Sequence, residues 1–61
     1  MKPTNDHERA IAQAVDKKLL EDPSSLYESI VPETVMALGF VMSDSDTQFL
    51  IRYVQWRLTP P

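Results

Sequence analysis

Residues 26–40 read LYESIVPETVMALGF, and the number of helices in this chain turns on how that stretch is divided. Pro32 stands in its middle. A proline lacks the backbone donor a helix interior needs, and its ring pushes the preceding residue, Val31, away from helical angles. The spacing predicts one short helix ending at Val31 and another opening at Pro32, where a proline suits the first helical position. The earlier helix has two competing starts. Asp22 can cap with Pro23 behind it, or Ser25 can cap with Glu28 three residues on. The later helix stops at Gly39, the only glycine in the chain. A left-handed Gly39, with Phe40 folding back on Val35, would make a Schellman ending.

Upstream, residues 4–22 read TNDHERAIAQAVDKKLLED and form a first helix. Asn5 followed by Glu8 has the spacing of a capping box. Ala10, Ile11, Ala14, Val15 and Leu19 recur at helical spacing, and this narrow, Ala-rich stripe admits a close helix neighbour. Acids stand early and Lys17 and Lys18 late, as the helix dipole prefers. Downstream, Ser43, Asp44 and Ser45 are all capping residue types, and Ser45 has Gln48 three residues on. A last helix runs from about Asp46 to Leu58, and Thr59-Pro60-Pro61 cannot continue it. The expected fold is an all-α bundle of about four helices with a long apolar C-terminal helix. It forms a single domain over 1–61 with flexible ends at 1–4 and 59–61.

A chain of 61 residues buries only about 60% of the surface its unfolded form exposes. Small proteins compensate with disulfides, a metal or association. Cysteine is absent and there is one histidine, so a disulfide framework and a structural zinc site are both excluded. Association is left as the expected support. The N-terminal segment has no apolar core of a signal peptide, and no run reaches the roughly 18 apolar residues of a membrane span. A cytoplasmic protein is expected.

The charges are segregated. Residues 21–46 carry six carboxylates and no Lys or Arg, in a chain of net charge −3. Helix starts and turns account for most of these acids. The rival reading is an acidic face, with Glu28, Glu33, Asp44 and Asp46 meeting a basic partner or imitating nucleic-acid phosphate. The block argues against the chain itself gripping DNA, which takes clustered Lys and Arg. A helix-turn-helix reading of the last two helices meets the same objection, because the would-be recognition helix opens on acids.

No catalytic constellation is visible. Asp44–Gln48 resembles a calcium loop, but its sixth and twelfth positions, Phe49 and Gln55, are not the required Gly and Glu. His7 has no nucleophile placed near it by any motif, and one glycine cannot build a phosphate loop. No enzyme activity and no cofactor are expected.

The last helix carries the functional signal. Stepping about 100° per residue separates an aromatic set (Phe49, Tyr53, Trp56) from an aliphatic set (Leu50, Ile51, Val54, Leu58). Only Gln48, Arg52 and Gln55 form a polar strip, and Arg57 falls between the two apolar sets. The apolar arc covers about 220°, against little more than 100° for an ordinary surface helix. Leu50, Val54 and Leu58 are expected to stay in the core with Ile11, Val15, Leu19, Leu26, Ile30, Val35 and Leu38. Phe49, Tyr53 and Trp56 are expected to meet a partner, helped by Arg52 and Arg57. Trp, Tyr and Arg are enriched at binding hot spots. These features describe a small acidic regulator or adaptor that binds protein, as a homodimer. The alternatives are a nucleic-acid mimic and, behind it, a helix-turn-helix unit.

Overall fold

The computed structural model describes residues 1–60 as three helices: α1 (Asp6–Glu21), α2 (Tyr27–Ala37) and α3 (Asp44–Leu58). The all-α small bundle is as expected, but it has three helices, not four. The C-terminal helix is not distinctively long or apolar either. It has 15 residues against 16 in α1, and it opens on two carboxylates. None of the helices is long and apolar enough to cross a membrane.

The correction lies at Pro32, which sits inside a continuous α2. Its preset φ is already helical, so the ring removes one hydrogen bond without forcing a break. The carbonyl left without a partner is that of Glu28, four residues back. Glu28 and Pro32 are both exposed, so water can reach the orphaned group.

The other boundaries moved for local reasons. Asp22 caps neither version of the second helix. Its carboxylate instead accepts the Ser24 N–H at 3.2 Å and the Ser24 hydroxyl at 2.8 Å, which closes the turn after α1 and lowers the Asp22 pKa. Leu26 is the N-cap of α2, with no side-chain cap. At the other end, Leu38 is extended and Gly39 has no positive φ, so the Schellman ending is absent. Phe40 meets the ring of His7, centroids 3.9 Å apart, while Val35 is left 45% exposed.

The cap of α1 is the expected Asn5, while α3 uses the first of its three candidate caps, Ser43, in place of Ser45 paired with Gln48. Asn5 accepts the Glu8 N–H at 2.8 Å. Glu8 reaches one residue further back than a capping box requires and takes both the amide and the hydroxyl of Thr4, each at 2.9 Å. Ser43 caps α3 in a complete box with Asp46: the Asp46 amide donates to Ser43 Oγ, and the Ser43 amide donates to Asp46 Oδ2, each at 3.1 Å. The helix therefore starts two residues earlier than expected.

α1 and α3 run parallel, since His7 meets Asp46 in their first turns and Asp16 meets Tyr53 and Arg57 further along both. α2 runs against them. Its first residues, Tyr27 and Glu28, share a groove with Gln55, Leu58 and Thr59 at the end of α3. The core joins Ile11, Ala12 and Val15 of α1, Ile30 of α2, and Phe49, Leu50, Tyr53 and Val54 of α3. Leu19 and Leu38 pack at the edge of this core. Leu26, expected inside it, is 65% exposed because it stands before the first turn of α2.

Candidate interaction surface

α3 packs against both α1 and α2, as each helix of the bundle does, and much of its apolar arc is taken up by that packing. Leu50 and Val54 are fully buried, and Phe49 and Tyr53 are only 8% and 5% exposed. The aromatic and aliphatic sets thus both contribute to the chain's own core. Phe49 stacks on Tyr53 with centroids 5.6 Å apart, and Tyr53 meets Trp56 at the same separation. Only Trp56, half-exposed near the end of this row, stays open to a partner. The division between a home face and a partner face is therefore corrected. Phe49 and Tyr53 belong to the core, and Leu58, expected inside, is more exposed than either.

Tyr53 keeps its polar end satisfied. Its hydroxyl donates to Asp16 Oδ1 at 2.9 Å, and Arg57 Nε approaches the same oxygen at 3.3 Å. Burial first, then the hydrogen bond and the charge of Asp16, push the Tyr53 phenol up to about 12. Arg57 is thus engaged within the chain. Arg52 lies exposed on the polar strip with Gln48 and Gln55 and has no ion pair among the described residues.

The four acids assigned to one face are dispersed. Asp46 is buried, and its carboxylate is held by the Ser43 amide and by His7 Nδ1 at 2.9 Å. The hydrogen bond from His7, followed by that from the Ser43 amide, holds the Asp46 carboxyl below its ordinary pKa. Glu33 bridges to Lys18 across α1 and α2 at 2.7 Å, and that bond raises the lysine's pKa. Glu28 and Asp44 stay exposed, but antiparallel packing sets them at opposite ends of the bundle. A single carboxylate face in the manner of a phosphate backbone does not form.

His7 is more engaged than a surface histidine near a loose terminus. It joins the first turn of α1 to that of α3 and lies against Phe40. Asp46 is held as a carboxylate and can only accept, so Nδ1 carries the proton. No hydrogen bond joins His7 to Ser43 among the described residues, and Ser43 Oγ accepts the Asp46 amide as a helix cap. The same region contains no group of three His, Cys, Asp or Glu that could hold a metal, among the described residues.

The apolar surface that does stay open lies mostly off α3. Met36 is 85% exposed and Val41 is 92% exposed, and Val35 and Pro32 are also on the outside. Pro32, Val35 and Met36 stand at i, i+3 and i+4, so they share one outward side of α2. No family model, curated protein or solved structure matches this chain.

The signal for this surface was present in the sequence. The ten residues Thr34–Ser43 carry no charge and form the longest uncharged run in the chain. Splitting α2 at Pro32 hides the run's meaning, because a two-turn helix with Val35 turned inward leaves no outward apolar face.

Proposed function

We propose that this chain is a small non-enzymatic regulator or adaptor that works by binding protein and does so as a homodimer. The observation that carries the reading is the amount of large apolar side chain that three helices leave uncovered. Met36 is more than four-fifths exposed, and Pro32 and Val35, which share its side of α2, are exposed as well. Single exposed apolar residues are ordinary, but clustered ones on a small domain mark an interaction surface. A core built on so few buried residues also gains most from association.

Sedimentation equilibrium tests the dimer. At micromolar concentration the particle should have about twice the 7.0 kDa chain mass. A mass of one chain at every concentration up to the millimolar range would overturn the homodimer.

A further inference from the structure

We infer that His7 and Asp46 form a reactive site, in which His7 Nε2 is a nucleophile toward small neutral acyl esters and Asp46 balances the charge the ring acquires. The site needs no second copy and no partner, so it stands apart from the protein-binding reading.

The geometry starts from a buried carboxylate. Asp46 is 5% exposed, and its Oδ2 accepts from the Ser43 amide at 3.1 Å and from His7 Nδ1 at 2.9 Å. Since the carboxylate can only accept, the ring proton is fixed on Nδ1 and the lone pair of the neutral ring falls on Nε2. Nε2 has no hydrogen-bond partner among the described residues, and half of the His7 side chain is open to solvent. Phe40 rests against the ring with centroids 3.9 Å apart. Tautomer and tilt are thus set before any ligand arrives, which is what the aspartate of a Ser-His-Asp triad does for its histidine. No serine stands between this imidazole and a substrate, because Ser43 Oγ is occupied by the Asp46 amide. The imidazole itself is then the nucleophile.

The surroundings define the substrate. His7 lines a groove of about 450 Å³ with Asn5, Asp6, Val41, Ser43 and Asp46. Val41 offers an apolar wall to an aryl or alkyl group, while Asp6 and Asp46 place negative charge beside it and repel an anionic acyl donor. Competing nucleophiles are few. There is no cysteine and no other histidine, and lysines are protonated at neutral pH.

In the first step Nε2 attacks the ester carbonyl carbon, a C–N bond forms, and the alcohol oxygen leaves with the electron pair of the C–O bond. The acylated ring is cationic and keeps its Nδ1 proton against Asp46. Water then attacks the acyl carbon and the C–N pair returns to Nε2. The acid is released as carboxylate, with two protons passing to solvent.

The test follows nitrophenolate release from p-nitrophenyl acetate at neutral pH. It compares the full chain, His7→Gln, Asp46→Asn and N-acetylhistidinamide at equal concentration. Circular dichroism checks folding, and the native chain in concentrated urea supplies the unfolded reference. The native rate should exceed both the model compound and the unfolded chain by at least about tenfold, as fixed orientation and a fixed countercharge require. His7→Gln should fall to the background of solvent and the Met1 amine. Asp46→Asn keeps an acceptor but removes the charge, and should lose at least about fivefold in rate. It should also narrow the preference for p-nitrophenyl acetate over anionic 3-acetoxy-4-nitrobenzoate, which a purely structural role would not move. A native rate no greater than that of N-acetylhistidinamide overturns the site, and this comparison needs no variant. A folded His7→Gln that keeps the rate overturns it too, as does a folded Asp46→Asn that keeps both rate and preference.

Discussion

The Tyr53 hydroxyl on α3 donates to Asp16 Oδ1 on α1 across 2.9 Å, and Arg57 approaches the same oxygen from one turn further along α3. One half-exposed carboxylate therefore fixes both the tilt of a buried ring and the end of the helix that bears it. The bond satisfies the polar end of an aromatic row that the core holds inward, and Arg57 is engaged within the chain.

Tyr53→Phe should cost about 1 kcal/mol of folding stability, the usual worth of one hydrogen bond. It should also change the alkaline limb. The folded phenol titrates near 12 and its ordinary value is 10.0, so above pH 10 the unfolded chain loses the proton first. Stability is then intact below about pH 10 and falls at up to about 1.4 kcal/mol per pH unit until the folded phenol ionises. Thermal melts from pH 8 to 12 should show this slope in the native chain and a shallower one in Tyr53→Phe.

Acid should act at the other end of the bundle. The Asp46 pKa is lowered by His7 and the Ser43 amide from an ordinary value of 3.8. Its contribution is present above that value and is lost as pH falls through the lower folded value. Melts between pH 2 and 7 should show this loss, and Asp46→Asn should lower the midpoint at neutral pH and flatten the acid limb. Removing the partner hydroxyl with Ser43→Ala should cost about 1 kcal/mol, as for other N-caps.

Thr34 is fully buried, and its hydroxyl has no hydrogen-bond partner. Such a group forfeits its hydration without compensation. Thr34→Val keeps the branched shape and should raise stability by ~1 kcal/mol, a gain of several degrees in Tm for a domain of this size. A lower midpoint in urea would show that the hydroxyl has a partner in solution.

Pro32→Ala restores a donor for the Glu28 carbonyl within α2. A proline in a helix interior costs about 3 kcal/mol relative to alanine, and its rigidity returns up to about 1 kcal/mol through the unfolded chain. The variant should be more stable by ~1–2 kcal/mol, read from denaturant midpoints. Unchanged stability would mean that the missing hydrogen bond costs nothing at this solvent-exposed position.

How far the sequence carries can be judged residue by residue. Asn5 with Glu8 announces a helix start because capping is local chemistry between residues three apart, whereas Ser43, Asp44 and Ser45 are three rival caps among which only the fold chose Ser43. Ile11, Val15, Ile30, Leu50 and Val54 announce the core because periodicity is a property of one helix at a time. Gly39 misleads because a glycine permits a left-handed stop without requiring one. Its surroundings are open enough that an added Cβ would touch nothing within 4 Å.

The sequence by itself determined an all-helical chain, the start of its first helix, the segment that forms its last, and an apolar arc on α3 too wide for one neighbour. Only the tertiary structure decided that α2 runs through Pro32, since a missing hydrogen bond is tolerable when the orphaned carbonyl faces solvent. It also decided which apolar groups remain outside. α3 turns Phe49 and Tyr53 into the core, whereas α2 leaves Met36 exposed on its outward side. Local propensity cannot settle that outcome, because it depends on which side each helix turns toward the other two.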